Sequence, residues 1–172
     1  MSFLLLIAQS LYFFLPAYCA NMAPVLFKWL PLGLPIHERL LGQNKTWRGL
    51  IVSIIIGGLV FGMQKAAYKP GFQSLAIINY GNFSIAFGLL MGAGAILGDL
   101  IKSFYKRKAG IPAGARWLPW DQLDFVFGGL LLPFFIYVPP AEVTLVIVVL
   151  SPFLHIIVNH IGYWLKIRKE KW

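Results

Sequence analysis

Long stretches without charged residues alternate with short polar segments along the chain. No Asp, Glu, Lys or Arg occurs within residues 1–27, 49–64, 70–98, 125–141 or 143–165. A membrane-spanning helix needs about 20 apolar residues, and these stretches lack the alternation that marks the strands of an outer-membrane barrel. The pattern predicts an all-α bundle of about five transmembrane helices, with spans near residues 3–27, 50–65, 83–103, 122–138 and 142–165.

Composition supports a membrane protein. Of the 172 residues, 59% are hydrophobic and 12% are charged, against about 45–50% and about 25% in ordinary soluble domains. A chain this short cannot bury so much apolar surface inside one water-soluble core. We therefore expect residues 1–172 to form a single multi-pass membrane domain.

The basic residues predict the orientation of the bundle. Of the 15 Lys and Arg residues, all except Lys65 and Lys69 cluster around the ends of the first, third and fifth spans. Cytoplasmic loops of membrane proteins are enriched in Lys and Arg. This bias places the N-terminus outside the cell and the C-terminus in the cytoplasm, with the two most basic loops also on the cytoplasmic side.

Three aspartates stand out because they lie at the margins of apolar spans. Asp99 lies near the end of the third span, and Asp121 and Asp124 open the fourth with a spacing that places both on one helix face. Ionisable groups within spans are costly and are usually functional. Carboxylate oxygens suit Mg²⁺, so the three aspartates are predicted ligands of one or two Mg²⁺ ions. The alternatives are a helix cap at Asp121 and ion pairs with Lys102 or Arg107.

Two basic loops accompany these carboxylates. Residues 103–116 combine cations with glycines, which suits phosphate oxygens, and residues 43–49 have a similar composition. The alternative for the second loop is a basic interfacial turn anchored by Trp47. The candidate phosphate-binding residues are Asn44, Lys45, Thr46, Arg48, Ser103, Lys106, Arg107, Gly114 and Arg116. Carboxylates facing cationic loops indicate a metal–phosphate site rather than a channel lumen.

Pairs of glycines four residues apart predict close helix packing. The pairs are Gly58 and Gly62, Gly88 and Gly92, and Gly94 and Gly98. We expect Gly98 to bring a neighbouring backbone close to Asp99. We also expect Gly92 to line a groove for the tails of a lipid.

Residues 98–124 resemble the signature of the membrane CTP-dependent cytidylyltransferases. That signature contains a serine, a Lys-Arg pair, a Pro-Gly and a final Asp-Arg-x-Asp; here Ser103, Lys106-Arg107, Pro112, Gly114 and Asp121-Gln122-Leu123-Asp124 match it in part. Gln122 replaces the arginine and the His-Gly-Gly of the CDP-diacylglycerol synthases is absent. Both differences favour the small archaeal branch, the CDP-archaeol synthases, which residues 44–49 and 159–172 also resemble.

The resemblance implies an Mg²⁺-dependent nucleotidyltransferase of the cell membrane with its active site on the cytoplasmic side. CTP and unsaturated archaetidic acid, a lipid phosphate, would give CDP-archaeol and pyrophosphate, with no nucleic acid involved. The implied catalytic residues are Asp99, Asp121, Asp124, Lys106 and Arg107. The alternatives are a CDP-diacylglycerol synthase acting on ester phosphatidate and a small ion carrier or channel. Against the carrier, the carboxylates lie on one side of the membrane rather than at its midplane.

Overall fold

The computed structural model of the protein describes residues 2–112 and 115–167. Within these residues the chain is helical apart from its connections and one isolated bridge between Pro35 and Thr46. Short 3-10 turns lie at Tyr80–Asn82 and Pro133–Phe135. The α-helices are α1 (Phe3–Leu26), α2 (Glu38–Leu41), α3 (Trp47–Tyr68), α4 (Ala86–Lys108), α5 (Trp120–Leu131) and α6 (Ala141–Trp164).

Four of these helices are long and apolar enough to cross a membrane, judged by length and composition: α1, α3, α4 and α6. Side-chain caps mark the first residues of two of them. The Ser2 hydroxyl accepts a hydrogen bond from the Leu5 N–H at the start of α1, and Thr46 does the same for Gly49 at the start of α3. The predicted all-helical membrane fold is confirmed.

The predicted span at residues 122–138 differs in the structure. Its α-helix, α5, has only 12 residues and is therefore about 18 Å long, less than the roughly 30 Å of a bilayer's hydrocarbon core. Pro133 then begins a 3-10 turn, because proline lacks the N–H that an α-helix would use there. The apolar run is long enough for a span, but its prolines divide it.

Glycine contacts hold the central helix, α4, directly against α3 and α5. A Cβ atom on Gly57 would lie 2.5 Å from the Gly88 carbonyl oxygen, and one on Gly128 would lie 2.0 Å from that of Gly94. A Cβ on Gly92 would lie 2.5 Å from the Ser53 carbonyl oxygen. Gly92 is therefore inside the contact between α3 and α4, and the expectation that it lines a lipid groove is wrong.

Gly62 also departs from its predicted packing role, since a Cβ atom there would have no neighbour within 4 Å. The contact surface of α3 is formed instead by Gly57 and Gly58, where an added Cβ would clash with α4. The packing prediction therefore holds for Gly58 but not for Gly62, and Gly57, which the glycine spacing did not single out, supplies the backbone contact with α4.

An aromatic core closes the end of the bundle at which α3 ends and α4 begins. Tyr80 is 1% exposed, and its ring centroid lies 5.4 Å from that of Phe61 and 5.8 Å from that of Tyr12. The Lys65 ammonium donates to the carbonyl oxygens of Gly81 and Phe83. These contacts fasten the connection between α3 and α4, whereas the three aspartates near the end of α4 and the start of α5 lie at the other end of the bundle.

Candidate functional site

The charged site forms where the end of α4, the start of α5 and the loop before α3 meet. Asp99, Lys102 and Lys106 are spaced along α4 so that they share a face. Gly98 allows α5 to approach this face, because a Cβ on it would lie 2.1 Å from the carbonyl oxygen of Asp124. The expectation that Gly98 brings a neighbouring backbone close to Asp99 is confirmed.

Lys102 lies at the centre of the three aspartates. Its Nζ is 3.3 Å from Oδ1 of Asp99, 3.0 Å from Oδ1 of Asp121 and 3.0 Å from Oδ2 of Asp124. The Lys102 side chain is 14% exposed and that of Asp124 only 5%. One ammonium therefore bridges carboxylates from two helices in a largely buried position.

Two further lysines flank the aspartates. Lys45 Nζ lies 2.5 Å from Oδ2 of Asp99, which joins the loop before α3 to α4. Lys106 Nζ donates to both oxygens of Asp121, at 2.9 and 3.0 Å. The buried cluster thus contains three carboxylates and three ammonium groups, so its formal charges balance.

Asp121 also closes the loop that precedes α5. The N-cap residue of α5 is Pro119, and Asp121 lies in the first turn, where it accepts a hydrogen bond of 2.5 Å from the Trp117 N–H. Burial tends to raise the pKa of the Asp121 carboxyl, but hydrogen bonds and charge from Lys106 and Lys102 outweigh it and hold the pKa below its usual range. The carboxylate is therefore ionised at neutral pH.

The three predicted metal ligands do come together, and the ion pairs with Lys102 foreseen as an alternative are present. Arg107 instead donates a hydrogen bond from its Nη2 to the Pro112 carbonyl oxygen at 3.1 Å. Within residues 2–112 and 115–167, no three His, Cys, Asp or Glu side chains converge closely enough to hold a metal ion as they stand. The Lys102 ammonium occupies the space between the carboxylates.

The predicted phosphate-binding residues have varied surroundings. Lys45 and Lys106 belong to the cluster, whereas Asn44 and Arg116 are exposed and Gly114 lies outside the described residues. Thr46 caps α3, and the Ser103 hydroxyl donates to the Asp99 carbonyl oxygen at 2.8 Å. The two hydroxyl groups thus have local hydrogen-bonding partners, and their phosphate-binding roles stay predictions.

Arg48 connects the segment after α1 to the start of α3. Its Nη1 donates to the carbonyl oxygens of Lys28 and Leu30, each at 2.6 Å. Its backbone N–H donates to the Leu32 carbonyl oxygen at 3.0 Å. The side chain is therefore engaged in holding a loop, a role that the loop's basic composition did not indicate.

We expect Arg48→Ala to lower the melting temperature, because hydrogen bonds to a charged group contribute about 1.5–3 kcal/mol each. The control is Arg39→Ala, which removes the same charge from an exposed position on α2. Thermal unfolding of the purified variants measures the effect. If Arg48→Ala melts like the control, the guanidinium does not hold the loop.

Together these features define a class: a multi-pass helical membrane protein with a buried cluster of aspartates and lysines at one end of its bundle. A solved structure described as an intramembrane enzyme for archaeal membrane lipids biosynthesis is similar. It aligns with a TM-score of 0.68 and 28% identity over 87% of this chain and 91% of that chain.

Sequence comparison identifies the protein family. The family model described as CarS-like CDP-archaeol synthase matches residues 3–172, and the chain belongs to this family. The CDP-archaeol synthase of Pyrococcus furiosus is 32% identical over 96% of this chain and 98% of its own length. The CDP-archaeol synthase of Methanosphaerula palustris is 37% identical over 92% of this chain and 99% of its own length. The CDP-archaeol synthase of Thermococcus kodakarensis is 34% identical over the whole of both chains.

The central position of Lys102 was not predicted from the sequence. There it is one of many basic residues near a predicted cytoplasmic loop and one possible ion-pair partner of the aspartates. The available signal was its spacing of three residues from Asp99, which places both on one face of α4.

Proposed function

We propose that this chain transfers the cytidylyl group of CTP to 2,3-di-O-geranylgeranylglyceryl phosphate, giving CDP-archaeol and pyrophosphate. Membership of the CDP-archaeol synthase family supports the reaction. The observation on which the site assignment rests is the meeting of Asp99, Asp121 and Asp124 with Lys45 and Lys106 at one end of the bundle. Such a cluster combines groups that attract cations with groups that attract phosphate.

The reaction joins two highly charged groups. An oxygen of the lipid phosphate attacks the α-phosphorus of CTP, a new P–O bond forms, and the bond to the β-phosphate breaks with release of pyrophosphate. A phosphate monoester carries about −1.5 to −2 charges at neutral pH, so the nucleophile is already ionised and needs no general base. Lys45, Lys106, Arg107 and Arg116 would offset the repulsion between the substrates.

The donor set of the cluster suits a hard divalent cation. Asp99, Asp121 and Asp124 offer only oxygen atoms, the ligands that Mg²⁺ prefers, and the Lys102 ammonium already lies among them as a cation. These three residues would hold one or two Mg²⁺ ions. When bound, Mg²⁺ would neutralise developing charge on the phosphates and orient them.

The position of the cluster fits a lipid substrate. Extracting a long chain from the bilayer costs about 0.8 kcal/mol for each CH₂ group, so the lipid phosphate must react at headgroup level. A site at the end of the bundle can meet that phosphate and also admit CTP from water. The distribution of basic residues supports the cytoplasmic side of the cell membrane for this end.

Pyrophosphate release by the purified protein tests the proposal. With CTP, Mg²⁺ and the ether lipid phosphate, we expect release that depends on all three components. A parallel reaction with ester phosphatidate measures the preference between the two lipid classes. Release that is independent of lipid would show that the assigned reaction is wrong, and faster reaction with ester phosphatidate would favour a CDP-diacylglycerol synthase.

A further inference from the structure

The Lys102 ammonium is surrounded by the carboxylates of the cluster. It has three N–H donors, donates a hydrogen bond to Oδ1 of Asp121, and forms ion pairs with all three aspartates at 3.0–3.3 Å. The side chain is mostly buried, so water replaces these contacts poorly. This arrangement resembles the coordination of a small cation by carboxylate oxygens.

The three carboxylates depend on Lys102 to different degrees. Asp99 also contacts Lys45, and Asp121 also contacts Lys106 and the Trp117 N–H. In the described part of the chain, Asp124 forms its only ion pair with Lys102. Among the described residues, the most buried carboxylate of the cluster therefore has Lys102 as its only cationic partner.

We propose that Lys102 is the internal counter-ion of Asp99, Asp121 and Asp124 and that a divalent cation must displace its ammonium from these three carboxylates. This inference rests on the proposed function, which assigns a metal to the same three aspartates. Lys102 stabilises the cluster, because three adjacent, largely buried carboxylates without a central cation would repel one another. It also weakens metal binding, because the ion and the ammonium compete for the same oxygens.

The competition links metal binding to nucleotide binding. The lysine side chain is a flexible four-carbon stem, so the displaced ammonium can turn toward phosphate oxygens of a bound nucleotide. Those phosphates also supply further ligands to the metal. Lys102 is thus a positioning residue that favours arrival of the cation together with the nucleotide over binding of the cation alone.

Mn²⁺ binding without nucleotide tests this role. Electron paramagnetic resonance of unbound Mn²⁺ gives the affinity of the detergent-purified protein. We expect Lys102→Met to bind Mn²⁺ at least about tenfold more tightly than the unmodified protein, within the usual range of coupling between two ligands. Lys108→Met, which removes an exposed lysine from the same helix, should leave the affinity unchanged.

Thermal unfolding gives a second readout that does not depend on activity. In chelator, Lys102→Met should melt below the unmodified protein, since its carboxylates have lost their central cation. Saturating Mn²⁺ should raise the melting temperature of Lys102→Met more than that of the unmodified protein. Lys102→Gln, which retains a hydrogen-bond donor, should show the same pattern if Lys102→Met is too unstable to purify.

The results that would contradict this inference are of two kinds, and the same measurements distinguish them. Equal Mn²⁺ affinity in the unmodified protein and Lys102→Met, lost from both on Asp124→Asn, would overturn the role of Lys102 and leave the metal site standing. Weaker binding by Lys102→Met would also overturn it. Absence of binding in every variant, or binding that Asp124→Asn does not alter, would overturn the metal assignment of the proposed function and this inference with it.

Discussion

Asp124→Asn is expected to lower the turnover at least about 100-fold while the bundle remains folded. The substitution keeps the size of the side chain but removes the charge that would hold a cation, and such electrostatic stabilisation is worth about 10²–10³ in rate at a single group. Lys102 would keep its contacts with Asp99 and Asp121, so the structural loss should be small. Pyrophosphate release, with a thermal melt of the same sample, measures both effects.

The matched control is Glu142→Gln, which makes the same carboxylate-to-amide change at an exposed residue in the first turn of α6. It should retain normal turnover. Asp121→Asn should behave like Asp124→Asn, and Asp99→Asn should also lower turnover while loosening the contact with Lys45. Normal activity of Asp121→Asn or Asp124→Asn would rule out the assigned metal ligands.

The second large effect is expected from Gly98→Ala, which should both destabilise the bundle and abolish most activity. The added methyl group would lie 2.1 Å from the Asp124 carbonyl oxygen, a backbone atom that can move only if α5 moves. Overpacking of this kind costs about 1–3 kcal/mol or more. Because α5 carries Asp121 and Asp124, the same displacement would pull two carboxylates away from Lys102.

Gly62→Ala is the control for the intrinsic effect of replacing a helical glycine. A Cβ atom at Gly62 meets nothing within 4 Å, and alanine is favoured over glycine within a helix by about 0.8–1.0 kcal/mol. This variant should therefore be as stable as the unmodified protein, or more so. Equal melting temperatures and activities for the two glycine variants would contradict the close contact between α4 and α5.

Much of the site could be predicted from the sequence. Asp99 comes at the end of one apolar stretch and Asp121 at the start of the next, so a simple turn between adjacent helices brings them together. Lys45 could be placed near them for a similar reason, because its loop before α3 lies on the same side of the membrane as the turn between Asp99 and Asp121. The particular partners could not be read in this way, because Lys102, Lys106 and Arg107 are all basic residues within about two helical turns, and only the rotation of α4 against α5 distinguishes them.

The contribution of Arg48 to folding could likewise not be predicted from the sequence. In the sequence it is one cation of a basic loop beside a candidate site. In the structure its Nη1 is held by the carbonyl oxygens of Lys28 and Leu30, which belong to a segment about 20 residues earlier. A contact between segments so far apart depends on how α1 packs beside α3, which local residue patterns do not specify.

The sequence was sufficient to predict a helical membrane protein with most of its ionisable groups near one end. The physical reason is that burying charge in hydrocarbon is costly, so the places where charge is absent reveal the membrane helices. Only the folded structure shows that α5 is short, that Gly62 makes no close helix contact, and that Lys102 lies among the three aspartates. These features depend on distances of a few ångströms between helices, and such distances are set by packing across the whole bundle.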